Sequence, residues 1–365
     1  MTKTQEIIMA LIVSGIGHRR EFYIPDAVDW QEVFQLSQEH GVAAIVLDGL
    51  EIIKGERTNI SDEALPSREL TLKWIGMVLR QYEQRYITYE KNTQDLAAFY
   101  RKYGIRMMMI KGYGLSLNYP KPNHRPCGDM DIFLFGGQER ADQLIYKELG
   151  IEVDKSHHHH TVFEWDRFTV ENHYDFINVH HQKSSLKFEA IFKELGKDDS
   201  YKVDVNGETV YLPSPNLHAL FLIRHMANHF VGANITLRQV LDWAFFVKES
   251  TEEIDWVWLE NILEQYHMMD FYNCLNAICV EDLGFCVDIF HQAVQFNTRM
   301  KERVLNDILF PTFSAEEPHG FTKRLIYKFR RWNGNAWKHG LCNRDSRSSA
   351  LLYGIWNHLL KPSSI

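Results

Sequence analysis

The sequence predicts an α/β (α+β) chain, with a small mixed-sheet core flanked by helical N-terminal and C-terminal regions. Two changes of apolar period carry this reading. Through the first hundred residues apolar side chains recur at helical spacing. Near residue 105 they give way to short buried runs, and past residue 213 the helical period returns. These changes divide the chain into a helical region (1–103), an α/β core (104–212) and a helical domain (213–365). With 365 residues, 45% of them hydrophobic and 24% charged, the chain is long enough for more than one core. That composition excludes a disordered tail, a collagen-like repeat and a small disulfide scaffold.

The elements follow in order. Residues 7–17 are apolar and broken by Gly15 and Gly17. With Glu6 ahead and no A-x-A-like site behind, they read as a first helix rather than a leader. Trp30, Val33, Phe34 and Ser37 keep a helical period, and Gly41 stops it before the apolar run 42–47. A longer helix is predicted over 70–103, burying Leu72, Ile75, Leu79, Tyr82 and Tyr86 and ending at Gly104. Residues 105–110 read as a buried strand that ends at Lys111-Gly112 and feeds a short helix, 113–119. Pro120 and Pro122 break that helix. Then come a strand over 130–135, a helix over 138–149 stopped by Gly150, and a brief strand over 151–154. Residues 161–165 and 168–173 flank Asp166-Arg167 as a hairpin, with a third extended piece at 177–181. Pro213-Ser214-Pro215-Asn216 marks the boundary to the helical domain.

Forty Lys and Arg against 48 Asp and Glu give a formal charge of −8, which excludes a polycation that coats nucleic acid. Residues 321–362 are locally basic, however, with nine Lys or Arg, one acid, and interleaved Tyr327, Phe329, Trp332 and Trp337. Such a segment can hold RNA, lie on a membrane surface, or pack on an acidic body. Cys127, Cys274, Cys279, Cys286 and Cys342 show no C-x-x-C spacing and are odd in number. Reduced thiols in a cytoplasmic protein are expected. No apolar run is long enough for a membrane span.

The chemistry concentrates at Ile110-Lys111-Gly112 and Arg125-Pro126-Cys127-Gly128-Asp129-Met130-Asp131. Carboxylates at i and i+2 on a strand share a face and repel, and a divalent cation between them resolves the repulsion. Oxygen ligands suit Mg²⁺ or Mn²⁺, which can clamp a triphosphate. A glycine turn that opens a helix offers backbone N–H groups to phosphate, with Lys111 and Arg125 adding positive charge.

This pattern resembles the nucleotidyltransferase-fold superfamily related to DNA polymerase β, and within it the poorly characterised bacterial nucleotidyltransferases. Their motif, K-G-x-x-L…Y-P…R-P-x-x-D-x-D, is met by Lys111, Gly112, Leu115, Tyr119, Pro120, Arg125, Pro126, Asp129 and Asp131. Lys111-Gly112 stands where most of the superfamily has G-[GS]. The resemblance implies a nucleotidyltransferase-like core, NTP as substrate, Mg²⁺ or Mn²⁺ as cofactor and a third carboxylate on a neighbouring strand, often as acid-x-His. Glu171 in Glu171-Asn172-His173 is the first candidate, completing the site and activating the acceptor. Asp175 is the reserve, and Asn178 in Asn178-Val179-His180 matches in shape without a charge. His225 with His229, and Arg238 with Asp242, resemble the family's H-x-x-x-H and L-R-x-x-x-D helices. Each pair is i, i+4 and shares a helix face. They are read as contacts between the helical domain and the core, with substrate contact or zinc as alternatives. Without H-E-x-x-H a metalloprotease is not supported. His157–His160 reads as alternating histidines on a half-exposed strand, or as a metal-binding tract.

The expected reaction is transfer of NMP from an NTP to an unknown acceptor (small molecule, protein or RNA). The alternative is a catalytically inactive nucleotidyltransferase-fold binding module, antitoxin-like or binding a partner or nucleic acid. A kinase is disfavoured, because neither G-x-G-x-x-G nor G-x-x-x-x-G-K-[ST] is present.

Overall fold

The computed structural model describes residues 2–18, 24–25, 28–56, 64–180, 182–291, 297–313 and 318–360. Helix Lys3–Gly15 starts at a capping box in which Thr2 and Gln5 satisfy each other's backbone N–H groups. It packs on helix Ala43–Glu56, which takes up the apolar run 42–47. Their backbones meet at Gly15 and Gly49. A Cβ on either would overlap a carbonyl of the other helix, Ile45 and Leu11 respectively.

The predicted long helix is three segments end to end: Arg68–Val78, a π-turn over Leu79–Glu83, and Gln84–Lys102. Its buried face differs from the expected one. Leu72, Ile75 and Leu79 are exposed, whereas Trp74, Met77 and Val78 are buried in line with Tyr82, Tyr86 and Tyr89. Both sets obey helical spacing, and Trp74 decides between them: its indole N–H donates to the Ala43 carbonyl and its ring packs on Phe34.

The core is one mixed sheet of six strands: β1 (Met108–Met109), β2 (Met130–Phe133), β3 (His160–Trp165), β4 (Phe168–His173), β5 (Lys202–Val205) and β6 (Glu208–Tyr211), in the order β3-β4-β2-β1-β6-β5. β2 runs parallel to β4, and β1 parallel to β6. The remaining neighbours are antiparallel. The strands expected over 105–110 and 130–135 are shorter than their apolar runs. Residues 151–154 contribute only the bridge Asp154–Val162. Residues 177–180 form no strand, because the Asn178 side chain turns the backbone by accepting the His180 N–H. His181 and residues 361–362 of the basic segment lie outside the described residues. The β5–β6 hairpin and the helix Ser184–Leu195 complete the core.

Beyond residue 213 the described elements are helical, from Pro215–Gly232 to Arg347–Leu360. Helices at both ends of the chain share one apolar cluster, which runs from Ile7 and Val46 through Phe221 and Trp243 to Leu309. A second cluster lies between helix Gln84–Lys102 and the sheet. Part of the basic segment packs inward. Lys338 is buried on Asp307, and Arg347 stacks 4.0 Å over Trp332. All five cysteines are free, and only Cys286 is exposed.

Candidate active site

The site sits on the two parallel central strands. Asp131 on β2 is paired in register with Glu171 on β4. Alternate residues share a face, so His173 stands on the same side as Glu171. Like charges directly across two strands are destabilising, and two cationic groups offset them. Lys111 Nζ lies 2.7 Å from Asp131 Oδ1. His173 Nε2 lies 3.3 Å from that oxygen and 3.4 Å from Glu171 Oε2.

The proton affinities follow from this crowding. Burial raises the Asp131 carboxyl, but Lys111 and His173 outweigh it and hold it far below the usual carboxylate range. Burial lowers His173, but its hydrogen bonds to the Asp131 and Glu171 carboxylates outweigh that and hold it up at about 9. Glu171 is lowered, with burial opposed chiefly by His173. Asp129, just before β2, is pushed up by desolvation and by the Asp131 charge. Lys111 loses by burial and gains more from Asp131 and Asp129, so it stays charged.

Gly112 makes the turn. Its φ is +61°, and a side chain there would overlap the Tyr89 hydroxyl, which donates to the Asp129 carbonyl at 3.0 Å. Gly112 caps a helix of one turn, Tyr113–Ser116.

Across a narrow cleft of about 60 Å³, Lys111, Gly112, Asp129 and Asp131 face His225, Arg238 and Asp242. The His225 and His229 rings are 4.4 Å apart. Burial, then the Lys111 charge, keeps both imidazoles below their ordinary range and therefore neutral. Asp242 does not pair with Arg238, its helical neighbour. It accepts Arg125 Nε at 2.7 Å and Nη2 at 2.9 Å, and the Tyr119 hydroxyl at 2.7 Å. Arg125, expected on a phosphate, is instead 5% exposed and committed to Asp242, where it ties the loop before β2 to helix Leu237–Ser250. Arg125 meets both Asp242 oxygens with two parallel N–H groups, a bidentate pairing that Arg238, one turn away on the same helix, does not make.

Of the three candidates for the further carboxylate position, Glu171 adjoins Asp131. Asp175 pairs with Lys193, and Asn178 lies in the turn after β4. His173 was not singled out from sequence, although the acid-x-His spacing places it on Glu171's face. Among the described residues, two groups have ligand atoms within 4.8 Å of one another: Asp131 with Glu171 and His173, and His159 with His160 and His173. Asp129 flanks the first group, whereas His225 and His229 join neither. Of the histidine tract, residues 157–159 form a bend rather than a strand and His160 opens β3, with His158 and His160 buried.

The donor set fits a hard divalent cation: two ionised carboxylates side by side and a third at the cleft mouth, whose charge Lys111 and His173 now offset. No described helix is long and apolar enough to cross a membrane. Among solved structures the chain is similar to an antigenic nucleotidyltransferase-like protein from Paracoccidioides brasiliensis. The TM-score is 0.35 at 14% identity, covering 56% of this chain and 96% of that one. No curated protein matches it. Residues 26–284 match the family described as uncharacterised nucleotidyltransferase, and the chain belongs to that family.

Proposed function

We propose that the chain transfers a nucleoside monophosphate from an NTP to an acceptor hydroxyl or phosphate and releases pyrophosphate. The observation that carries this is the register pair Asp131–Glu171 with Asp129 beside it. Asp129, Asp131 and Glu171 would hold Mg²⁺ or Mn²⁺, which would supply positive charge against the triphosphate and the departing pyrophosphate. Lys111 binds phosphate oxygens from the turn side, with the Gly112 backbone beside it. Glu171 takes the acceptor's proton as its oxygen bonds to the α-phosphorus and the bond to the β-phosphate breaks. His173, hydrogen-bonded to both carboxylates, orients them. Arg125 and Asp242 position the loop that carries Asp129. The free thiols fit a reducing, cytoplasmic setting.

The test is divalent-dependent pyrophosphate release from NTPs, lost in Asp129→Asn and Asp131→Asn. Activity that survives both changes refutes the site. One observation favours a second reading: Lys111 and His173 already offset Asp131, as in a binding module without turnover. Calorimetric binding of Mg-NTP without pyrophosphate release would select that reading.

A further inference from the structure

Next to the narrow cleft lies a much larger cavity of about 630 Å³, the size of a small-ligand site. Four arginines line it, Arg80, Arg85, Arg167 and Arg238, against one acid, Glu39. The cavity adjoins the cleft: Pro126 and Arg238 line both.

The arginines are not consumed by the fold. Among the described residues Arg80, Arg167 and Arg238 make no ion pair, and Arg238 Nε is buried without a hydrogen-bond partner. Arg85 is held in place: its Nε donates to the Cys127 carbonyl at 2.8 Å, and its guanidinium lies 4.4 Å over the Phe168 ring. Like-charged guanidiniums gathered around one space repel, and a buried unpaired donor is costly. A polyanion resolves both, because planar guanidiniums match phosphate oxygens in pairs.

We propose that this cavity binds the acceptor and that the acceptor is a phosphorylated, metal-free polyanion. The word acceptor rests on the nucleotidyl-transfer reading, whereas the anion site stands without it. The NTP is the other source of phosphate, and the charge pattern separates the two. An NTP arrives with its own divalent cation and needs carboxylates, which line the cleft. The cavity offers four cations and a single carboxylate, which suits phosphates that arrive without metal. Arg238, at the junction, brings the bound anion to the mouth of the cleft that holds Asp129 and Asp131.

The experiment is calorimetric titration of the full chain with inorganic tripolyphosphate in EDTA. Saturable binding is expected, weakened about tenfold or more in the Arg80→Ala/Arg167→Ala double variant and less in Arg80→Lys/Arg167→Lys, which keeps the charge but not the fork. Both side chains are exposed, so the unfolding temperature of the double variant is expected to match wild type. Asp131→Asn is expected to retain tripolyphosphate binding, so failure of the catalytic reading leaves this result standing. Titration of the double variant with each Mg-NTP is expected to give wild-type affinity. Absence of tripolyphosphate binding, or equal binding by the alanine double variant, overturns the anion site. A matching loss of Mg-NTP affinity overturns the acceptor assignment in favour of the NTP itself.

Discussion

Replacing Asp242 by Asn tests how the core is joined to the helical domain. Arg125 and Asp242 are each 5% exposed, and their two parallel hydrogen bonds are 2.7 and 2.9 Å long. The amide removes the negative charge and leaves a guanidinium buried without compensation. Removing one partner of a buried pair destabilises by roughly 3–5 kcal/mol. Asparagine retains an acceptor oxygen for Arg125 or Tyr119, which puts the expected loss at the low end, about 3 kcal/mol. Urea unfolding of Asp242→Asn, Arg125→Met and the Arg125→Met/Asp242→Leu double variant measures this. Each single variant should lose that amount, and the double, which buries no charge, should recover most of it. The Asp242 carboxyl is held below its ordinary range because Arg125 outweighs its burial. Its contribution is therefore present above the unfolded carboxylate range and fades as pH falls through the lowered value. A loss in Asp242→Asn below about 0.5 kcal/mol, typical of surface changes, would refute this account of the junction.

Gly49→Ala should destabilise by about 1–3 kcal/mol by forcing helices Lys3–Gly15 and Ala43–Glu56 apart, read by denaturant midpoint. An unchanged midpoint would show that the crossing is not tight. Gly112→Ala should lose about 1–3 kcal/mol from its left-handed backbone and more from overlap with Tyr89. Adding Tyr89→Phe should restore only the overlap part, and full recovery would mean that the backbone is unstrained. Burial pushes Glu189 up to about 7 although it accepts the Phe176 and Ile177 N–H groups. The folded state then favours the protonated acid, so this group's contribution is full below about pH 4.5 and is lost as pH rises towards 7, by up to about 3 kcal/mol. The stability difference between wild type and Glu189→Gln should shift by that amount over this window, and a pH-independent difference would contradict it.

The site's local half is legible in the chain, because i and i+2 acids before an apolar strand, a glycine turn and acid-x-His depend on neighbours in sequence. Its other half is not. Arg125 and Asp242 are brought together only by the packing of helix Leu237–Ser250, and local spacing instead pairs Asp242 with Arg238. In the long N-terminal helix, two apolar sets have the same period, and Trp74 selects the buried one through a contact with Ala43. The β5–β6 hairpin did carry a local signal: Asn206-Gly207 both adopt positive φ, as a two-residue turn requires. Its strands mix polar residues with the buried Val205 and Val210 and so lacked the continuous apolar run that marked the others. The apolar runs at 105–110 and 130–135 are longer than their strands because burial continues past the last ladder bond.

In the proposed reaction Asp131 and Glu171 grip a divalent ion, whereas Lys111 and His173 otherwise balance these two carboxylates. Anomalous diffraction from crystals grown with Mn²⁺ and a non-hydrolysable NTP tests it directly. A peak is expected within about 2.3 Å of carboxylate oxygens of both residues, with Lys111 moved onto phosphate. Crystals that hold the nucleotide without such a peak, with Lys111 Nζ still on Asp131, would contradict it.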